Sequence, residues 1–202
     1  MTALPLEHKF TDGDPAAPVL LLLHGTGGGP DDLVGLGRAL SPKSALLAPA
    51  GPVSEHGASR WFRRLAEGVL DFEDVVARAD QLADFVLAAR ETYGLGDRRL
   101  VAVGFSNGAN IAGALTLLRP DVLREAALFA SMSAVPEPPD FDLAGTRVFL
   151  SNGLRDPMAP LASNEQFAKA LRDRGAEVTA HRYSGGHQVT VEGVEAAKAW
   201  LA

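Results

Sequence analysis

The 202-residue chain contains no cysteine. Disulfide frameworks, thiolate metal sites and cysteine nucleophiles are therefore all excluded. A reducing cytoplasm tolerates such a composition, and a cytoplasmic location is expected. Basic residues are outnumbered, with 19 Lys+Arg against 25 Asp+Glu and a formal net charge of −6. A nucleic-acid footprint needs clustered basic surface, so no nucleic-acid partner is expected. Long hydrophobic runs are missing too. The longest pure aliphatic run, "VLLLL" at 19 to 23, is far too short to span a bilayer, and no membrane partner is expected. The opening "MTALPLEHKFTDGDP" lacks the basic and apolar regions of a signal peptide. Neither H-E-x-x-H nor a comparable ligand cluster occurs, and neither a metal nor a cofactor is expected.

What is present reads as a globular protein. Hydrophobic residues make up 47% and charged residues 22%, enough for a sizeable core, and the length suggests one domain over 1–202. The run "VLLLL" has the character of a strand buried on both faces. A helix is predicted over about 30 to 40, with Pro30 in its first turn, followed by the strand "SALLAP" (44–49). A loop rich in Gly, Pro and Ser leads into "RWFRRLAEG". From about 71 to 93, apolar residues recur at three- and four-residue steps, with Asp71 as N-cap and Gly94 as stop. Then come the strand "RLVAVGF", the helix "NGANIAGALTLL" ended by Pro120, and the strand "EAALFAS". The strand "TRVFLSNG", a helix over about 159 to 174, the strand "EVTAHRYS" and a terminal helix complete the chain. This alternation predicts an α/β fold: a mostly parallel central sheet with helices on both faces. Reactive groups in such sheets gather in loops beyond the carboxyl ends of strands.

One of those loops holds Gly104-Phe105-Ser106-Asn107-Gly108, a G-x-S-x-G pentad between a strand and a helix. Glycines two positions either side of the serine relieve crowding at a strained turn that lifts the hydroxyl above the sheet. The Asn107 amide falls at a helix N-terminus, where it can stabilise negative charge. A serine hydroxyl needs a base, and the base an orienting acid; this turn type takes them in the chain order Ser, Asp or Glu, His. Two histidines follow Ser106. His181 falls within a strand-like segment, whereas His187 follows "SGG" in a loop, which makes His187 the candidate base. Asp156, in the loop "SNGLRDPMAP", is the candidate acid. Asp140, which shares a proline-rich loop with Asp142, is the runner-up, and Asp173 reads as a surface charge.

A second loop, "HGTGGG" (24–29), suits the other half of an oxyanion site, with the Thr26 amide as donor and glycines 27 to 29 allowing close approach. It lacks the Lys of a P-loop and the last glycine of a dinucleotide fingerprint. His24 reads as structural, bonding the loop. The segment "EHGASRWFRR" (55–64) is the candidate specificity element: Arg60 can anchor a carboxylate, and Trp61 and Phe62 either wall a pocket or belong to the core. Phe105 and Met158 are further candidate substrate contacts. Met158 and Met132 can line the same cleft, with core packing the preferred reading for each. A chain this short leaves little room for a lid.

Together "LLLHGTGG", "GFSNGANIA", "LRDPMAP" and "GGHQVT" resemble the phospholipase/carboxylesterase group of small bacterial α/β-hydrolases, which borders the dienelactone hydrolases. "RWFRRLAEGVLDFEDV" is similar to bacterial carboxylesterases described as hydroquinone-linked hydrolases. The resemblance runs from about Pro18 to the end. It implies an α/β-hydrolase fold and a serine esterase acting on small soluble esters, with Ser106, Asp156 and His187 as triad and Thr26 and Asn107 as amide donors. Two departures stand out: dienelactone hydrolases proper use a cysteine, and many relatives carry glutamine where Asn107 stands. A thioesterase on the same triad, or a binding protein that keeps the fold without turnover, are the alternative readings. Relatives often form homodimers, and no stretch of this sequence marks an interface.

Overall fold

Five consecutive aliphatic side chains leave a strand no polar face to turn outward, so it must lie between two covering layers. The computed structural model, which describes residues 4–66 and 69–202, places Val19–Leu23 in that position, with every residue buried. In chain order the elements are β1 (His8–Thr11), β2 (Val19–Leu23), α1 (Val34–Leu40), β3 (Ala45–Pro49), β4 (Val53–Glu55), β5 (Ala58–Arg60), β6 (Arg64–Ala66) and β7 (Val69–Leu70). There follow α2 (Phe72–Thr92), β8 (Leu100–Phe105), α3 (Asn107–Leu118), β9 (Glu125–Phe129), β10 (Arg147–Gly153), α4 (Leu161–Asp173), β11 (Glu177–Tyr183) and α5 (Val191–Leu201). Seven strands form one sheet in the order β1-β3-β2-β8-β9-β10-β11. All neighbours are parallel except β1, which runs antiparallel to β3.

The two faces of β2 feed separate cores. Leu21 and Leu23 join Val75, Phe85, Ile111 and Leu115 on the side covered by α2 and α3. Leu20 and Leu22 join Val101, Phe149 and Trp200 on the side covered by α1 and α5. Each fully buried leucine contributes about 1.5–3 kcal/mol relative to exposure. The chain leaves β2 toward β3 on one side, and β8 lies on the other. Order therefore reverses at β2, and the crevice beyond the carboxyl ends of β2 and β8 is where such sheets bind ligands.

Helix α2 begins after Asp71, whose side chain accepts from the Asp74 amide, and the left-handed Gly94 (φ 60°) follows its end. Three elements depart from the sequence reading. Helix α1 starts at Val34 rather than near Pro30; tight turns occupy the intervening residues, the Asp32 and Val34 amides bonding back to Gly29 and Asp31. The segment between β3 and α2, expected as a loop leading into the unassigned "RWFRRLAEG", contains two antiparallel strand pairs, β4–β5 and β6–β7. The first turns on His56-Gly57, both at positive φ (50° and 85°), as a two-residue turn requires. The edge strand β1 had no counterpart in the sequence reading.

Candidate active site

The loop from β8 into α3 is held by its own geometry. Ser106 adopts φ 53° and ψ −117°, a conformation that costs a non-glycine residue about 1–3 kcal/mol. It is pinned on both sides: its amide donates to Phe129 O at 2.9 Å, and its carbonyl accepts from the Asn110 amide at 2.9 Å. Glycine flanks it for steric reasons. A Cβ at Gly104 would come within 2.7 Å of the Ala109 backbone, and one at Gly108 would run into the carbonyl oxygens of Leu23 and His24. Because the obstacle is backbone of the central strand, Gly108→Ala should destabilise by about 3 kcal/mol, lowering the melting temperature by about 6–12 °C. Thermal denaturation of the purified variant checks this.

Three residues distant in sequence meet here. Ser106 Oγ lies 2.8 Å from His187 Nε2, and His187 Nδ1 lies 2.8 Å from Asp156 Oδ2. The other Asp156 oxygen accepts from the Met158 and Ala159 amides at 2.9 and 3.0 Å. The carboxylate is buried and has N–H donors on both oxygens, which suits an ionised acceptor. It accepts the His187 Nδ1 proton, leaving the Nε2 lone pair to accept the Ser106 hydroxyl.

The loops carrying Asp156 and His187 are fastened to each other. Leu154 N donates to Tyr183 O, Arg155 N to Gly185 O, and the Arg155 guanidinium to Ser184 O. The Tyr183 hydroxyl lies 2.6 Å from Gln188 O and 3.0 Å from Gly186 O, so it brackets His187 with the carbonyls it can donate to. Burial pushes the Tyr183 phenol up from its ordinary pKa, which keeps the hydroxyl a donor. A side chain at Gly153 would strike the carbonyls of Gly185 and Gly186. Neither Tyr183 nor Gly153 was singled out in the sequence. The only available signal was an aromatic residue four positions before a loop histidine.

The remaining aspartates lie elsewhere. Asp140 and Asp142 are exposed, Asp142 capping a turn through the Ala144 amide, and Asp173 pairs with Lys169. His181 sits on β11 with Nδ1 3.2 Å from Ser151 Oγ, paired across the sheet rather than at the loops. His24 is structural: its Nε2 accepts from the Gly51 amide, so Nδ1 carries the proton and donates to Gly25 O.

Beside Ser106 opens a cleft of about 190 Å³, lined by Thr26, Arg60, Asn107, Asn110, Met132 and Met158 among others. Thr26 and Asn107 therefore flank the serine, and Asn107 heads α3, where backbone N–H groups have no helical partner. Met158, 65% exposed, and Met132 both line the cleft rather than serving only as packing. Asn110, one helical turn beyond Ser106, was overlooked; the four-residue spacing was the available signal.

Two candidate substrate contacts need correction. Trp61 is a core residue and does not line the cleft: its indole N–H donates to His24 O and its amide to Asn107 Oδ1, which turn the ring inward. Phe62 is likewise fully buried. Phe105 does not line the cleft either. Its ring packs over Gly25, 5.2 Å from the His187 ring, and so supports the imidazole from behind. The Asn107 side chain has a task not foreseen: it ties the segment carrying Arg60 and Trp61 to the serine turn. Among the described residues, no group of three or more His, Asp or Glu could hold a metal ion, and no helix is long and apolar enough to cross a membrane.

The same arrangement of elements recurs in known proteins. The phospholipase/carboxylesterase family model matches residues 10–202. The chain is 43% identical to the putative hydrolase MhqD of Bacillus subtilis over 195 residues, 96% of this chain and 97% of that one. The crystal structure of the Bacillus cereus carboxylesterase superposes with a TM-score of 0.94 at 39% identity, covering 98% of this chain and 93% of the other. A carboxylesterase from Mesorhizobium loti gives 0.92 at 29% identity, covering 100% and 96%. With its central parallel sheet, its helices on both faces and these relatives along nearly its whole length, the chain belongs to the phospholipase/carboxylesterase family of α/β-hydrolases.

Proposed function

We propose that the chain is a serine carboxylesterase that hydrolyses small carboxylic esters through an acyl-enzyme on Ser106. The observation that carries this reading is the continuous relay from Ser106 Oγ through His187 to Asp156, with each link at 2.8 Å. His187 Nε2 takes the hydroxyl proton as Ser106 Oγ attacks the ester carbonyl carbon. The carbonyl π electrons pass to oxygen, where the Thr26 and Asn107 amides meet the developing charge; losing one such donor typically costs about 100- to 1,000-fold. The tetrahedral centre collapses, the C–O bond to the alcohol breaks, and the leaving oxygen takes the proton back from His187. Water then enters by the same route, releasing the acid and restoring Ser106. Throughout, Asp156 stays ionised, holds the tautomer with its proton on Nδ1 and stabilises the imidazolium.

The position of Asn107 at the head of the twelve-residue α3 adds the positive end of a helix dipole to the oxyanion side. The size of the cleft, about 190 Å³, supports small substrates. The reading is tested by turnover of p-nitrophenyl butyrate beside a butyryl thioester of equal length. An oxygen-ester kcat/KM at or above that of the thioester is the expected result. A marked preference for the thioester would reassign the chain to thioester hydrolysis, and turnover of neither together with no fluorophosphonate adduct on Ser106 would make it a binding protein.

A further inference from the structure

The cleft wall contains a charge that the reaction itself does not use. Arg60, at the end of β5, is only 6% exposed, yet it lines the same cleft as Ser106. Burying a guanidinium costs several kcal/mol unless partners replace its water. Its partners are modest. Nε donates to Phe62 O at 3.3 Å and Nη1 to Thr26 Oγ1 at 3.1 Å, both uncharged oxygens. The carboxylate of Glu55 is 3.4 Å from Nη1, well beyond the 2.7–2.9 Å usual for a charge-assisted bond. Glu55 makes its shorter contact, 2.8 Å, with Arg64. Desolvation lowers the pKa of Arg60 more than Glu55 raises it, which agrees with incomplete compensation. Among the described residues lining the cleft the charged side chains are Arg60 and Arg64; Glu55, which contacts both, does not itself line it. In a chain of net charge −6, a cationic wall beside the nucleophile is a local reversal of sign.

We infer that Arg60 recognises a carboxylate on the substrate, and that the preferred substrates are half-esters of short dicarboxylic acids. The inference rests on the serine-esterase reading and deepens it. The charge belongs on the acyl side for a geometric reason. His187 must face the leaving alcohol to return its proton, whereas Arg60 is bonded to Thr26, on the oxyanion side. A carboxylate a few bonds along the acyl chain meets the guanidinium, and one on the alcohol points toward His187. Arginine suits this task because its fork can take both oxygens of one carboxylate.

The experiment follows acid release at constant pH from monomethyl succinate and monomethyl glutarate beside methyl butyrate and methyl pentanoate, with carboxymethyl pentanoate, which releases glycolate, as the alcohol-side control. Wild type is expected to favour the half-esters in kcat/KM by about 10- to 100-fold, the scale of a charge-assisted hydrogen bond. In Arg60→Gln the ratio of half-ester to neutral ester falls toward one, whereas Arg60→Lys keeps part of it. The wild-type ratio needs no variant, so misfolding of a substituted chain leaves the test intact. A wild-type preference for the neutral esters, or for carboxymethyl pentanoate, would overturn the inference. An equal loss on charged and neutral esters in Arg60→Gln would also do so, because Arg60 would then serve only the Thr26 loop. The underlying esterase reading fails separately, if Ser106→Ala keeps its turnover.

Discussion

Ser106→Ala is expected to lower kcat on p-nitrophenyl butyrate by about 10⁴- to 10⁶-fold, the range found when a nucleophile of this kind is removed. Its melting temperature should stay within about 6 °C of wild type. These effects separate because of how Ser106 is held. The left-handed turn is fixed by main-chain bonds to Phe129 and Asn110, which alanine retains. The side chain supplies no cap to α3, and its contact is with His187 Nε2. Only one part-buried hydrogen bond is lost, worth about 0.5–1.5 kcal/mol. A site whose strain exists to present a hydroxyl should behave this way, losing its chemistry and keeping its fold. Parallel kinetics and thermal melts decide it. Turnover within tenfold of wild type would remove Ser106 from the reaction.

Asp156→Asn should reduce kcat by about 10⁴-fold, with a much smaller change in KM. Asparagine can keep one oxygen on the Met158 and Ala159 amides, so the turn after β10 survives. Its amide nitrogen then faces His187 Nδ1, where two donors cannot share a bond. The imidazole answers by moving its proton to Nε2, and a nitrogen that carries a proton cannot take one from Ser106. The loss is therefore one of tautomer, and it concentrates in kcat. Should Asp140→Asn, exposed in its proline-rich loop, prove the damaging change instead, the acid is misassigned.

Long elements and the order of the loops were legible in the sequence. The "VLLLL" run, the capped helix after Asp71 and the strand–turn–helix around Ser106 each carry a strong local signal, either periodic or steric. Asp156 and His187 followed from chain order and from their positions in loops after strands. Short elements were opaque. Strands β4 to β7 have two or three residues each, too few for a period-two pattern to set which side chains point inward. Trp61 lies between β5 and β6, where no local pattern announces its inward facing, and Phe105, Met132 and Met158 lie at a strand end or in loops, where facing follows no period. Their facing is set by contacts across the chain: the Trp61 amide and indole N–H bond to Asn107 and His24, and the Phe105 ring packs over Gly25. Edge strand β1 alternates between half-buried and exposed residues over four positions, which its composition alone does not distinguish from a loop.

The most direct measurement is the intact mass of the protein after exposure to a fluorophosphonate, in which attack by an activated alkoxide forms a P–O bond and expels fluoride. One adduct per chain, on the peptide containing Ser106, absent from Ser106→Ala and greatly slowed in His187→Gln, is what the relay of alcohol, imidazole and carboxylate predicts. An adduct on a different residue, or equal labelling of wild type and Ser106→Ala, would contradict it.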